Sequence, residues 1–65
     1  MRNCVRARRA EKGWSQKELG EKLGVSRQTV NAIEVGKYSP SLPLAFTLAR
    51  VFECWIEDLF TESNA

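Results

Sequence analysis

Gly24-Val25-Ser26 constrains this chain more than any other triplet in it. Glycine tolerates the left-handed backbone that closes a helix. Serine accepts the free amides that open one. With only Val25 between stop and start, two short helices must meet across a three-residue turn. The flanks agree. Ser15-Gln16-Lys17-Glu18 is a capping box, in which the serine hydroxyl takes one free amide and Glu18 reaches back to another. Trp14 stands at the position of a hydrophobic staple, and Leu19 and Leu23, four apart, share one face. After the turn, Val30 and Ile33 point inward and Gly36 ends the second helix. Gly20 lies inside the first helix, where it costs up to about 1 kcal/mol relative to Ala. A glycine there predicts that another helix crosses close over it.

The same punctuation extends outward. Asn3 opens a first helix with Val5 and Arg9 inward, and Gly13 ends it. Residues 37–41 form a turn containing Pro40, Ser41 is an N-cap, and Pro43 falls in the first turn of a helix, where its missing N–H is no loss. Leu44, Leu48, Val51, Phe52, Trp55, Ile56, Leu59 and Phe60 then recur at three and four. Pattern alone does not separate one helix from two in that run. β-Branched alternation is absent, and residues 61–65 read as a frayed tail.

At 65 residues the chain is expected to be one domain spanning 1–65. A chain this short buries only about 60% of its unfolded surface, so its stability is marginal without help. An apolar fraction of 43% with 28% charged residues reads as soluble and globular. No run approaches a membrane span, and the basic start is followed by no apolar signal-peptide core, so a cytoplasmic location is expected. Histidine is absent, which removes the usual imidazole base and His-containing metal sites. Cys4 and Cys54 are too few for a four-cysteine zinc site and read as reduced thiols, Cys54 as a small core residue and Cys4 as partly exposed. Glu57 and Asp58 are adjacent carboxylates, but they read as a first-turn helix charge rather than an acid–base pair. No enzyme, metal or cofactor is expected.

Charge is unevenly divided. Residues 1–38 hold nine of the ten Lys and Arg and carry +5, while residues 39–65 carry −3. The first part suits a polyanion and the second does not.

From Gln16 to Glu34 the ordered series is specific. A small residue stands fifth (Gly20), Gly ninth (Gly24), and apolar residues fourth, eighth, tenth, fifteenth and eighteenth (Leu19, Leu23, Val25, Val30, Ile33). With its flanks, RARRAEKGWSQKELGEKLGVSRQTVNAIEVGKYSPSL and LAFTLARVFECWIEDLF, the chain resembles the Cro/repressor-like, XRE-type family of helix-turn-helix DNA-binding proteins. The resemblance covers nearly the whole chain. It implies an all-α, compact five-helix bundle of the lambda-repressor-like fold, and so two helices between 42 and 60.

A helix entering the major groove reads bases from its first turns. Arg27, Gln28, Asn31 and, deeper, Ala32 are the candidates, since Arg pairs with guanine, Gln or Asn with adenine, and Ala meets a thymine methyl. Phosphate candidates are Gln16, at a helix N-terminus, with Lys17, Thr29, Lys37 and Tyr38; Arg6 adds general attraction. The resemblance further implies that Gln16 braces Gln28 and that Arg9 and Glu34 form a buried salt bridge. Two departures stand out. Val35 occupies the place of a phosphate-contacting Asn, and Glu53-Cys54-Trp55 replaces the family's glycine-led turn, which predicts a less sharp join between the last helices. Trp55, Ile56, Leu59 and Phe60 are a candidate dimer interface, with Trp55 alternatively in the core. The reading is a sequence-specific regulator, a homodimeric repressor on a near-palindromic operator. The alternative is an antitoxin-like, partner-binding module with secondary DNA binding.

Overall fold

A computed structural model describes residues 2–61 of the chain; the tail expected over 62–65 lies outside them. Five helices follow one another: α1 (Val5–Lys12), α2 (Gln16–Leu23), α3 (Arg27–Glu34), α4 (Leu42–Val51) and α5 (Ile56–Leu59). Each boundary has a local cause. Gly13 and Gly24 adopt φ of 73° and 75° and close α1 and α2. Ser15 Oγ accepts from the Glu18 N–H at 3.0 Å, and Glu18 Oε1 accepts from the Ser15 N–H at 2.8 Å. Ser26 and Ser41 cap α3 and α4 in the same way, accepting from Thr29 and Leu44. Val35 is the C-cap of α3, and Gly36, at φ 81°, follows it.

The apolar faces close on one core of Val5, Leu19, Val30, Ile33, Leu48, Ala49, Phe52 and Leu59. Trp14 lies against this core, its ring centroid 5.6 Å from that of Phe52, with the Lys22 ammonium 4.6 Å above its outer side. Cys4 and Cys54 are free thiols, both half-buried rather than fully inside. Burial pushes the Cys54 thiol up from its ordinary value.

Further features of the backbone differ from the sequence expectation. First, Arg2–Asn3 (β1) pairs antiparallel with Phe60–Thr61 (β2), Arg2 opposite Thr61 and Asn3 opposite Phe60. Thr61 is therefore paired rather than frayed, and α1 starts at Val5 rather than directly after Asn3. Asn3 still serves the helix start, because its Oδ1 accepts from the Val5 N–H at 3.1 Å. Its Nδ2 donates to the Ile33 carbonyl at 2.8 Å and so ties the start of the chain to the end of α3. Second, α4 and α5 join sharply despite the missing glycine. Glu53 takes φ 54°, the left-handed region. Its N–H donates to Arg50 O and that of Cys54 to Ala49 O, the paired bonds of a Schellman closure. Trp55 is the N-cap of α5 and its side chain makes no capping bond, but its own N–H is held by Asp58 Oδ2 at 3.0 Å, the reciprocal half of a capping box. Third, Gly20 is crowded by the turn rather than by a crossing helix: a Cβ there would lie 2.7 Å from the Val25 carbonyl oxygen.

Candidate nucleic-acid interface

α3 is divided cleanly between two environments. Val30 and Ile33 are each 1% exposed and face the core. Arg27, Gln28 and Asn31 are exposed on the far side, with Ala32 half-buried at its edge. This follows from the helical period, because positions 27, 28 and 31 lie together and 30 and 33 lie opposite. The outer face thus presents a guanidinium and two carboxamides to solvent from the first turns of one helix.

A chain of hydrogen bonds ties that helix to α1 and α2. Arg9 Nε donates to Glu34 Oε2 at 2.6 Å and Arg9 Nη2 to Glu34 Oε1 at 3.3 Å. Arg9 Nη1 donates to the Trp14 carbonyl at 2.8 Å. The Glu34 side chain is only 2% exposed and that of Arg9 16%. A carboxylate this deep needs its oxygens satisfied, and Gln16 Nε2 supplies a further donor at 3.0 Å. The Glu34 carboxylate in turn holds the Arg9 guanidinium above its ordinary value.

The Gln16 amide also donates to Asn31 Oδ1 at 3.2 Å. The bracing that the resemblance assigned to Gln28 therefore falls on Asn31. Gln16 thereby joins the N-terminus of α2 to the outer face of α3. No sequence signal singled out Asn31 as its partner: the two are fifteen residues apart and meet only because the turn folds α3 back across α2.

The other phosphate candidates differ in exposure. Lys17, Lys37 and Tyr38 are exposed. Thr29 is half-buried, and its hydroxyl lies 3.0 Å from that of Ser26, so it is already engaged in the cap. Val35, in the place of the family's Asn, is 59% exposed and brings only methyl groups. At the opposite end, Trp55 is 76% exposed, which removes it from the core. Ile56 and Phe60 are half-buried. Leu59, expected at a dimer interface, is instead 1% exposed, belongs to the core and offers nothing to a partner.

The helix-turn-helix family model matches residues 5–59. The chain belongs to the helix-turn-helix family. An HTH-type transcriptional regulator of Archaeoglobus fulgidus is 53% identical over 60 residues, covering 92% of this chain and 86% of its own. YgzD of Bacillus subtilis, also described as an HTH-type transcriptional regulator, is 52% identical over 60 residues, 92% of this chain and 91% of its own. Among solved structures, the restriction-modification controller protein C.AhdI of Aeromonas hydrophila superposes with a TM-score of 0.76 at 32% identity, over 86% of this chain and 81% of that one. The hypothetical transcription factor NHTF from Neisseria gives 0.75 at 30% identity, over 83% of this chain; the match spans 61% of NHTF. This helix-turn-helix regulator thus has the lambda-repressor-like fold, with α2 and α3 as its paired helices. The family is one of transcriptional regulators rather than enzymes. Among the described residues no helix is long and apolar enough to cross a membrane.

Proposed function

We propose that the chain acts as a single DNA-binding domain that reads double-stranded DNA with α3 in the major groove and represses transcription by occlusion in a prokaryotic cytoplasm. The observation that carries this reading is the outer face of α3, where Arg27, Gln28 and Asn31 stand exposed opposite a fully buried apolar face. Arg27 pairs with guanine and Gln28 with adenine, Asn31 adds a further base contact, and Ala32 meets a thymine methyl. Gln16, at the N-terminus of α2, takes a phosphate, with Lys17, Lys37, Tyr38 and Thr29 adding backbone contacts. Val35 leaves one family contact unmade. One such module covers little DNA. Two copies on a near-palindrome place their α3 helices about one turn of DNA apart, roughly 34 Å.

The test is selection from random duplex DNA, followed by titration of the winner against a scrambled duplex at several salt concentrations. A palindromic winner, bound far more tightly than the scramble, is expected. Equal binding that fades steeply with salt would leave only phosphate attraction and overturn the reading. The exposed Trp55 would then favour a module that binds a protein partner.

A further inference from the structure

One carboxylate sets the polarity of the side-chain hydrogen bonds that run from Arg9 out to Asn31. The Glu34 side chain is 2% exposed and is paired with the Arg9 guanidinium, Oε2 to Nε at 2.6 Å and Oε1 to Nη2 at 3.3 Å. An ionised carboxylate only accepts. The Gln16 carboxamide, 3.0 Å from Glu34 Oε1, therefore turns its nitrogen and not its oxygen inward. That nitrogen carries two hydrogens, and it also donates to Asn31 Oδ1 at 3.2 Å. A donor on Gln16 requires an acceptor on Asn31, so the Asn31 oxygen faces α2. Its Nδ2, on the other arm of the planar carboxamide, is left for a partner outside the chain. Asn31 is exposed, and among the described residues no acceptor meets its Nδ2.

We propose that Asn31 is held as a donor-only reader: Glu34, acting through Gln16, turns its carboxamide so that only Nδ2 addresses the major groove, and the base selected there is guanine rather than adenine. The inference rests on the reading of α3 as the base-contacting helix and names the base edge that one of its residues recognises. A free Asn takes adenine with both arms, its oxygen on the N6 amino group and its nitrogen on N7. With the oxygen turned to Gln16, that paired contact is lost. Guanine presents O6 and N7, two neighbouring acceptors, which suit one NH2 with two hydrogens. Thymine offers O4 alone and adenine N7 alone. Cytosine offers a donor, which meets Nδ2 donor to donor. Gln28 makes no such bond among the described residues, so both its arms stay available and its adenine pairing stands.

Gln16 and Glu34 are thus positioning residues, which act on the base through Asn31. In free solution water pairs with either arm of an exposed carboxamide, so the polarity adds little to stability. Under a DNA groove that water leaves, and an unpaired or mismatched polar group becomes costly. A reversed Asn31 would then set its nitrogen against the Gln16 nitrogen, donor against donor. Both hydrogens of the Gln16 carboxamide are already spent. A phosphate at the start of α2 therefore meets main-chain N–H groups and not this side chain.

The test has one arm without DNA and one with it. In the free full chain, NMR hydrogen exchange should be slower at the Gln16 Nε2 hydrogens than at those of Asn31 Nδ2; equal or reversed rates overturn the proposal. In selection from random duplex DNA, the position that Asn31→Ala flattens is the one Asn31 reads. Wild type is expected to take guanine there. Replacing that guanine by 7-deazaguanine, which lacks the N7 acceptor, should weaken binding about fivefold or more, the low end of discrimination at one base contact. Gln16→Met frees both arms of Asn31, so adenine should gain on guanine at that position by about fivefold or more. Preference at the position read by Arg27 should not change. A Gln16 with only a structural part would lower affinity for all duplexes alike. Another base at the Asn31 position, 7-deazaguanine bound as tightly as guanine, or a Gln16→Met preference like that of wild type overturns the proposal. So does an Asn31→Ala variant that flattens no position. The two readings fail separately. Any of these results beside a preference that Arg27→Ala still flattens removes the inference alone. The expected exchange order in a chain that prefers no duplex removes the DNA reading, and base selection by Asn31 with it.

Discussion

Replacing Gly20 by Ala adds one methyl group where the α2–α3 turn leaves no room for it. The new Cβ would lie 2.7 Å from the Val25 carbonyl oxygen, 3.4 Å from Ser26 C and 3.5 Å from Ser26 O. Favourable C···O contacts start near 3.3 Å, so the overlap is about 0.6 Å. The obstructing atoms are backbone and are themselves held. The Val25 N–H donates to Gly20 O at 2.9 Å, and Ser26 caps α3. Relief therefore requires the turn to open and α3 to swing away from α2. Overpacking of this kind costs about 1–3 kcal/mol, and alanine returns about 0.8–1.0 kcal/mol through its better helix propensity. The net expectation is a loss of up to about 2 kcal/mol. For a domain of this size that lowers Tm by up to about 16 °C, read by far-UV circular dichroism. Amide shifts should move at Val25, Ser26 and along α3 while α4 stays still. A Tm equal to or above wild type would show that the turn yields freely and would refute the argument.

Glu53→Gly should act in the other direction. A left-handed backbone costs a residue with a Cβ about 1–2 kcal/mol, and glycine gives back about 0.5–1 kcal/mol as unfolded-chain entropy. A gain of about 0.5–1 kcal/mol is expected in urea unfolding at high dilution; a loss would mean that the Glu53 side chain matters more than its φ of 54°. The Ser15 N–H, then its hydroxyl, hold the Glu18 carboxyl below the ordinary glutamate value of 4.5. A depressed folded value means that the capping contribution is complete above 4.5 and is lost as pH falls through the lower folded value. A carbon-13 titration of Glu18 should give a midpoint under 4.5, and one at or above it would contradict the capping account. Arg27→Ala should weaken binding to the selected duplex by about 1–3 kcal/mol and relax preference at one base position. Unchanged selectivity would remove Arg27 from base reading.

What was legible in the sequence is what is local. Ser15 and Glu18, or Gly24 and Ser26, state their roles within four residues, because a cap closes on its own helix. The period of α3 likewise shows which side of the helix carries Arg27, Gln28 and Asn31. The illegible parts depend on distant partners. Nothing near Asn3 announces that it will pair with Phe60 and donate to Ile33 O. Trp55 counts as apolar in the periodic run, yet the turn before it rotates it out to solvent. The glycine rule also misled at Glu53. There the Schellman bonds, with Phe52 and Leu59 buried on either side, hold a left-handed turn that the residue itself disfavours. At the outer face of α3, Gln16 was legible as an N-terminal residue, but its partner Asn31 was not.

The joint between α1, α2 and α3 raises a question of which forces set stability and which set angle. Burial of Leu19, Val30 and Ile33 is non-directional, so it holds α3 against the core without fixing its rotation. The run Trp14 O–Arg9–Glu34–Gln16–Asn31 is directional, and it ends on the outer face of α3. Arg9→Met tests the first role. It leaves Glu34, 2% exposed, with Gln16 as its remaining side-chain donor, and should cost about 3–5 kcal/mol in urea unfolding. Adding Glu34→Leu removes the orphaned charge, and a well-packed apolar pair is often neutral or stabilising, so most of that loss should return. Gln16 would still lack the carboxylate that positions it against Asn31. The double variant is therefore expected to melt near wild type yet bind the selected duplex more weakly. If DNA affinity returned together with stability, the apolar core alone would be setting the angle of α3, and the polar run would have no separate part in reading.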